Sequence, residues 1–522
     1  MIAGACARCA PGSILVLTGD PGPLAGPTRE SVMIAVRAVR FCRSLLAATL
    51  GLSNMPAAIS AETISSADIV KIFSQFSSPA TPGCAVGVFE RGRSLFTGGF
   101  GAADIATDER LTDNTLFYAA STSKQFTALA LAKAIEEGKV KLTDDVRRYV
   151  PELPGYGTPM TVSMLLYHTA GLRDYLDLFT LAGVPIRDEL SIPATLAMIV
   201  RQRGLNFTPG TRHDYTNSGY FLLAEIVARA SGMPFHEWVR ARILSPLGMS
   251  SSYVRHGPNP PQVKVARGYG AAPAGYVLRD SYPPFGGSGG LMTSIADMQR
   301  FDRDFHVGHK VWTRSTRRLL LTPGTLSNGE PIPLTDQLSY AGGVHVGKRR
   351  GVDWVAHGGS AAGFRSEYLR LPEKKLGIAV LCNRSDVFPW SLAEKVLDAS
   401  RGIGLTGEWS PPRQFPANPV DAASTALTPE IAGALAGRYR SEELAADYVF
   451  APGARGLQVS AVSSYQAASR AEPLCESVRM LSGELIRCAG YTFKLRRAAG
   501  EGIQGFTVHG SRMQGIAFVR ND

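Results

Sequence analysis

Ser121 and Lys124 are three residues apart, a spacing that puts both side chains on one face of a helix. A serine hydroxyl becomes a good nucleophile only when a neighbouring base removes its proton. A lysine amine can be that base if burial lowers its pKa. Lys124 lies in an otherwise uncharged stretch, residues 118–131, which favours a buried or paired amine. Ser121 is a good N-cap residue and is expected at the entrance of the helix. By itself the S-x-x-K pattern favours a capped helix with a surface lysine.

A second segment places Tyr215 and Asn217 just before an apolar run that begins at Tyr220. A tyrosine hydroxyl can pass a proton if a neighbouring cation lowers its pKa, and an amide can hold a substrate carbonyl group. The alternative is that Asn217 is no more than a cap at the start of a helix.

A third segment ends a predicted strand in small residues, His357-Gly358-Gly359-Ser360. Glycine at a strand edge lets another backbone approach closely, and that backbone could belong to a substrate. The alternative is a glycine bulge beside a structural histidine.

These side chains need a frame, and the hydrophobic pattern predicts one α+β domain with an antiparallel sheet assembled from both ends of the domain. An apolar helix is predicted for Phe126–Ile135, and residues 155–300 are predicted to be mostly helical. The predicted strands are Cys84–Phe89, Ser94–Phe100, Asp353–His357, Arg365–Leu371 and Leu376–Cys382.

Composition shifts divide the 522 residues into four parts. Residues 1–60 are predicted to be an N-terminal extension with a signal peptide that starts at Met33, which implies a periplasmic or secreted protein. The α+β domain that contains the three segments is assigned to residues 61–402. Residues 403–428 are rich in Pro, Gly, Ala and Ser and are predicted to be a linker. Residues 429–522 alternate short apolar runs with turns and predict a small antiparallel β-barrel-like domain.

The net charge of +11 is scattered along the chain, without a basic run interleaved with aromatic residues. This pattern disfavours nucleic-acid binding. The alternatives to a signal peptide are a short membrane anchor and a disordered tail, but the apolar run at 44–52 is too short to predict a membrane span. No membrane span is expected in the mature protein. The pair Cys6 and Cys9 has no second ligand pair, so a zinc site is not expected. Cys475 and Cys488 flank a predicted hairpin and could form a disulfide or remain two buried thiols.

Taken in order, the three segments resemble the motifs of the serine β-lactamase and penicillin-binding protein superfamily. The likeness is to its class C-like branch, which contains D-alanyl-D-alanine carboxypeptidases, D-aminopeptidases and β-lactamase-fold esterases. The motifs follow one another at about 90 and 140 residues. The likeness extends over residues 65–400 and includes the stretches Leu142–Val146, Leu165–Leu172, Pro246–Met249 and Gly286–Ser294.

The resemblance implies a five-stranded antiparallel sheet flanked by helices, with an all-helical subdomain. It also implies roles for individual residues. Ser121 would be the acylated nucleophile, Lys124 its activator and Tyr215 the proton relay. Asn217, His357, Gly359 and Ser360 would bind substrate, and the backbone N–H groups of Ser121 and Ser360 would form the oxyanion hole. No metal or cofactor is implied.

One departure from the motif set concerns the third segment, where typical β-lactamases have Lys-Thr-Gly and this chain has His357-Gly358-Gly359. A histidine is only partly charged near neutral pH and gives a substrate carboxylate weaker support than a lysine. The expected function is therefore a serine hydrolase of peptides, amides or esters that contain D-amino acids. The alternatives are an esterase or weak β-lactamase, and a non-catalytic penicillin-binding sensor or scaffold.

The resemblance also places Cys84 and Cys382 on neighbouring strands, where a disulfide is possible. The oligomeric state stays open.

Overall fold

The computed structural model describes residues 64–107, 109–187, 190–257, 264–335, 337–407, 424–465, 473–497 and 502–521. These residues lie in one unit, Glu62–Asp522. The predicted extension and signal peptide, residues 1–60, and most of the predicted linker, residues 403–428, lie outside the described residues. Within the described ranges, the model contains no helix with the length and apolar character needed to span a bilayer.

An antiparallel sheet of seven strands forms the centre of the larger part of the fold. In spatial order its strands are Leu338–Tyr340, His345–Arg349, Val352–Ala361, Phe364–Leu371, Leu376–Cys382, Cys84–Glu90 and Arg93–Phe100. All five predicted strands are present, but the predicted count of five is too low. The two additional strands at the edge are only three and five residues long, and such short runs carry too little periodicity to be recognised in a sequence.

Alternate residues of the central strands face two different apolar cores, because both faces of the sheet are covered. Ala85 and Phe89 face one core, whereas Val86 and Val88 face the other. The helices Ser66–Phe73 and Pro389–Ala399 pack over the second core. This two-sided burial explains why the strand at residue 84 is a continuous apolar run instead of an alternating one.

Helices and short strands fill the chain between the second and third long strands. The α-helices are Lys124–Glu136, Val162–Leu166, Tyr175–Leu181, Ile192–Val200, Asn217–Ser231, Phe235–Val239, Ser245–Leu247, Ile295–Arg303 and Arg314–Leu321. Single helical turns in this region are Ala120–Ser123, Val146–Arg148, Arg240–Leu244, Gly286–Ser288 and Asp304–Gly308, and a further one, Ser74–Phe76, precedes the first long strand. The short strands form two pairs and one three-stranded sheet. The pairs are Ala102–Asp104 with Glu109–Arg110 and Tyr269–Ala272 with Gly275–Leu278, and the sheet contains Phe117–Tyr118, Leu291–Thr293 and Tyr253–Val254.

The part of the chain that the structure describes contains two disulfides, both left open by the sequence. Cys84 and Cys382 lie directly opposite each other on the paired first and last long strands and are bonded. Cys475 and Cys488 form the second disulfide.

Replacing both Cys84 and Cys382 by alanine should lower the free energy of unfolding by about 2–5 kcal/mol, because this bridge closes a long loop in the unfolded chain. The two cysteines are 298 residues apart, whereas Cys475 and Cys488 are 13 apart. The double alanine variant of Cys475 and Cys488 should therefore show a smaller decrease in the free energy of unfolding. Urea unfolding of both variants measures the difference. Equal stability of the wild type and the Cys84/Cys382 variant would contradict the bridge.

A curled antiparallel sheet of ten strands forms the C-terminal module, residues 424–521. In spatial order its strands are Thr425–Ala426, Arg479–Ser482, Leu485–Cys488, Tyr491–Arg497, Ile503–His509, Ile516–Arg520, Gly437–Ser441, Ala446–Gly453, Gly456–Ser463 and Pro473–Cys475. One helix, Pro429–Leu435, precedes the strand at 437. Six aromatic rings fill its interior, those of Tyr439, Tyr448, Phe450, Phe493, Phe506 and Phe518.

The C-terminal module packs against the helices between residues 170 and 206, and the apolar core is continuous across the contact. The buried Tyr448 hydroxyl donates to the Leu181 carbonyl at 2.7 Å. The Arg173 guanidinium pairs with the Glu443 carboxylate at 2.6 Å, and both side chains are nearly buried. The module is therefore held by apolar packing and by buried polar contacts on the side of the fold that carries Asn217.

Candidate active site

Ser121 lies in the single helical turn Ala120–Ser123, which leads directly into the helix Lys124–Glu136. The predicted N-cap role of Ser121 is wrong, because the N-cap position belongs to Ser123, which makes no side-chain capping bond. The Ser121 hydroxyl instead lies 3.3 Å from Lys124 Nζ. Ala120 has a φ of 48°, in the left-handed region, so backbone strain is located next to the nucleophile candidate.

The Lys124 side chain is fully buried, and three oxygen acceptors fix its amine. Besides contacting Ser121, Nζ donates to Asn217 Oδ1 at 2.9 Å and to the Ser288 carbonyl at 2.7 Å. Burial lowers the pKa of this amine to about 7, opposed by the nearby Asp174 carboxylate and assisted by the Arg512 guanidinium. At neutral pH a large share of Lys124 is therefore a free amine that can accept a proton.

The rate at which an acylating or phosphonylating reagent modifies Ser121 should rise with pH through about 7. The free amine of Lys124 is the form that removes the Ser121 proton, and its pKa is about 7. Below that pH the amine is protonated and the rate should fall about tenfold per unit. Labelling with a fluorophosphonate between pH 5 and 9 measures the profile; a rate independent of pH over this range would contradict it.

Tyr215 lies beside this pair. Its ring centroid is 4.9 Å from Lys124 Nζ. Burial raises the pKa of this phenol, and the neighbouring Ser121 side chain only partly offsets that effect. Tyr215 therefore lacks the lowered pKa that it would need to act as a phenolate base. In the free protein Tyr215 keeps its proton at neutral pH, which leaves Lys124 as the base of the pair.

Asn217 begins the helix Asn217–Ser231 and is almost completely buried. Its Oδ1 accepts from Lys124, whereas its backbone N–H and its Nδ2 donate to Asp174 Oδ2 at 2.6 and 2.9 Å. The Asp174 carboxylate thus fixes which way the Asn217 amide faces. In this arrangement Asn217 orients the Lys124 amine, and the sequence did not predict this contact. Substrate binding by Asn217 stays a prediction.

The strand Val352–Ala361 brings the third segment alongside the nucleophile turn. Thr122 Oγ1 donates to the His357 carbonyl at 3.2 Å, and Ser366 Oγ donates to the Ala119 carbonyl at 2.7 Å. A Cβ atom at Gly359 would collide with the Ala119 carbonyl and Ser366 Oγ and would lie 3.0 Å from the Ser121 nitrogen.

Glycine at position 359 therefore permits the close approach that the sequence predicted, although the approaching backbone is the nucleophile turn itself. Ser360 follows on the same strand and is exposed.

His357 is buried, and three further buried or half-buried histidines share its surroundings around the Tyr340 ring: His168, His213 and His345. Desolvation lowers the pKa of His357 well below its ordinary value, and the neighbouring His345 and Lys124 act in the same direction. The expectation of a partly charged His357 near neutral pH is therefore wrong. The side chain is neutral there and offers no positive charge to a substrate carboxylate.

Sequence reasoning missed several residues that fix the site, namely Thr122, Asp174, Ser288, Ser366 and Arg512. Thr122 lies inside the S-x-x-K motif, and Ser288 lies in the glycine-rich stretch 286–294 that is part of the likeness, but neither pattern indicates these contacts. Asp174 and Arg512 act through contacts between distant parts of the chain. Among the described residues, no group of three or more His, Cys, Asp and Glu side chains is arranged to hold a metal ion.

The sequence and structure resemble characterised proteins over the same region. A D-aminopeptidase of Gluconobacter oxydans is 29% identical over 329 residues, 63% of this chain and 61% of that protein. Penicillin-binding protein 4* of Bacillus subtilis is 27% identical over 365 residues, 67% of this chain and 77% of that protein. This chain therefore spans about three fifths of the length of the D-aminopeptidase.

Two solved structures share the fold. The octameric penicillin-binding protein homologue from Pyrococcus abyssi matches with a TM-score of 0.56 and 23% identity, covering 87% of this chain and 98% of that one. The D-amino acid amidase from Ochrobactrum anthropi complexed with D-phenylalanine matches with a TM-score of 0.53 and 22% identity, covering 64% and 98%.

The family model described as Beta-lactamase matches residues 69–398, which contain the nucleophile turn, the Tyr215 segment and the His357 strand. These are the segments whose order and spacing pointed to the serine β-lactamase and penicillin-binding protein superfamily. The chain belongs to the beta-lactamase family.

Proposed function

We propose that this protein is a serine hydrolase that works through an acyl-enzyme on peptide, amide or ester substrates containing a D-amino acid. The observation that carries the proposal is the position and environment of Lys124. Its amine is buried, lies 3.3 Å from the Ser121 hydroxyl and has a pKa lowered to about 7. A lysine placed in this way can activate a serine at neutral pH.

In the proposed first half-reaction, Ser121 Oγ attacks the substrate carbonyl carbon and its proton passes to Lys124 Nζ. The negative charge that develops on the carbonyl oxygen is stabilised by the backbone N–H groups of Ser121 and Ser360. Tyr215, which is protonated in the free protein, donates its proton to the departing amine or alcohol and recovers one from Lys124. The acyl group of the substrate is then joined to Ser121 Oγ by an ester bond.

In the second half-reaction a water molecule attacks that ester, and its proton passes to Lys124 either directly or through Tyr215. The bond between Ser121 Oγ and the acyl carbon then breaks, and Ser121 takes back a proton from Lys124. The product is a carboxylic acid, and the enzyme returns to its starting state. Both halves use the same groups in opposite directions, which requires a base with a pKa near the working pH.

The substrate class is proposed from two supporting features. His357 is neutral because of its burial, which removes the positive charge that would favour substrates with a free carboxylate near the scissile bond. Amides and esters of D-amino acids, or peptides with a D-residue at the amino end, fit this better than penicillins do. The names D-aminopeptidase and D-amino acid amidase among the similar proteins agree with that class.

The proposed location is the periplasm or the cell exterior. The two disulfides support it, because such bonds persist in oxidising compartments. Detection of the protein in a periplasmic or culture fraction, with both disulfides formed, is the expected result.

A substrate panel tests the proposed function. D-alanine amide, L-alanine amide, a D-Ala-D-Ala peptide, a p-nitrophenyl ester and nitrocefin should be compared on wild type and Ser121→Ala. Turnover of the D-amide, little turnover of the L-amide, and loss of both in Ser121→Ala are expected.

Ester turnover alone would favour an esterase, and dominant nitrocefin turnover a β-lactamase. Covalent labelling by a fluorescent penicillin without any turnover would favour a sensor. Each of these three outcomes would contradict the D-amino-acid hydrolase.

A further inference from the structure

The loop 510–515 of the C-terminal module contacts the segment that positions Asn217. The backbone N–H of Asp174 donates to the Arg512 carbonyl at 3.1 Å, and Asn206 Nδ2 donates to the same oxygen at 3.0 Å. The Gln514 N–H donates in turn to Asn206 Oδ1 at 2.9 Å. The backbone of this loop is therefore fixed from two sides.

The Arg512 side chain reaches from this loop to two carboxylates of the helical part. Its Nη1 donates to Asp174 Oδ2 at 3.1 Å and its Nη2 to Asp177 Oδ1 at 2.6 Å. Asp174 is completely buried, and a buried carboxylate without a cationic partner is strongly unfavourable. Arg512 supplies the cation that this position needs.

Asp174 connects this ion pair to the nucleophile. The Oδ2 atom that accepts from Arg512 also accepts from the Asn217 backbone and from Asn217 Nδ2. Because Nδ2 is committed to Asp174, the amide presents Oδ1 to Lys124 Nζ. An unbroken series of contacts thus runs from Arg512 through Asp174 and Asn217 to Lys124, whose amine lies beside Ser121.

We propose that Arg512 is a positioning residue for the reaction, through which the C-terminal module completes the active site by fixing Asp174 and Asn217 and by setting the charge beside Lys124. The proposal rests on the proposed function, since it assigns Arg512 a role in activating Ser121.

The electrostatic consequence has a defined sign. Asp174 raises the pKa of Lys124 and Arg512 lowers it. Four other titratable groups lie around the amine, those of His168, Tyr215, Tyr220 and His357, and burial keeps all four neutral at pH 7–8. The charges beside the Lys124 amine are therefore those of Asp174 and Arg512. Removing the charge of Arg512 raises the pKa of Lys124. Removing the charge of Asp177, which contacts Arg512, should lower that pKa, because a negative charge near the amine is lost.

The test measures fluorophosphonate labelling of Ser121 in the full chain between pH 5 and 10. The rising limb is the pH range in which the labelling rate increases as Lys124 loses its proton. In Arg512→Gln this limb should move to higher pH by about one unit, so that labelling is about tenfold slower at pH 6.5 and recovers above pH 9. In Arg512→Lys, which keeps the charge, the limb should stay near that of the wild type. In Asp177→Asn, which keeps an acceptor for Arg512, the limb should move to lower pH.

Glu443→Gln is the matched control. It breaks the Arg173 ion pair, another contact between the C-terminal module and the helices, without touching Asp174. Its pH limb should coincide with that of the wild type even if its melting temperature falls.

Unshifted limbs in both Arg512→Gln and Asp177→Asn, or limbs shifted in the same direction, would overturn the positioning role and leave the proposed function intact. Should Arg512→Gln fail to fold, the downward shift in Asp177→Asn decides, and its absence overturns the role. A wild type that is labelled no faster than Ser121→Ala would overturn the proposed function itself, and with it the role of Arg512.

Discussion

Replacing Lys124 by methionine should lower kcat/KM for any amide or ester substrate by about 10³-fold, within the usual range for a general base. Methionine has a similar length and no titratable group, so the change removes the base from a fully buried position without opening a large cavity. Burst kinetics with a p-nitrophenyl ester should show that acylation is the step that fails.

The matched control is Lys133→Met on the same helix. Lys133 pairs with Glu136 at 2.7 Å, and its side chain is only 12% exposed, so methionine there tests the loss of a largely buried lysine charge outside the site. Its kinetics should be those of the wild type. A Lys124→Met enzyme that keeps activity within tenfold of wild type, while its circular dichroism shows it is folded, would mean that another group activates Ser121.

Replacing Gly359 by alanine should slow acylation of Ser121 by at least about 10²-fold, the effect expected when an oxyanion hole is disrupted. The new methyl group would collide with the Ala119 carbonyl and Ser366 Oγ. Relief of that collision must push the strand Val352–Ala361 away from the nucleophile turn, which would disrupt the oxyanion hole proposed for the Ser121 and Ser360 N–H groups. Stopped-flow measurement of the acylation burst gives the rate.

Gly358→Ala is the control for added bulk on the same strand. A Cβ atom at 358 would meet first the end of the Glu367 side chain, at 2.7 Å, and a side chain can move where a backbone carbonyl cannot. The loss of rate should therefore be only a few-fold. Equal losses in the two alanine variants would show that close approach at Gly359 has no special role.

Much of the fold could be predicted because its long elements carry strong patterns. The strand Leu376–Cys382 has the predicted bounds, and the helix predicted at Phe126–Ile135 extends by only three residues, to Lys124–Glu136. The edge strands at 338 and 345 were missed because they are short and separated by glycines. Their pairing is decided by the neighbouring strand and not by their own composition.

The sequence predicted the site residues that lie in short motifs, but not the residues or charge states that depend on contacts between distant parts of the chain. Ser121, Lys124 and Tyr215 were identified from motif order, and the structure brings them together. The neutral state of His357 follows from burial among other histidines, which a sequence does not show. Arg512 and Asp174 are 338 residues apart and make their contact only after two parts of the chain have packed together.

The central claim is that Ser121 is the residue that becomes acylated. Mass spectrometry of the protein mixed with a slowly hydrolysed p-nitrophenyl ester tests it most directly. An added mass equal to one acyl group, located on the peptide that contains Ser121 and absent from Ser121→Ala, is the predicted result. An adduct on another residue, or unchanged turnover in Ser121→Ala, would contradict it.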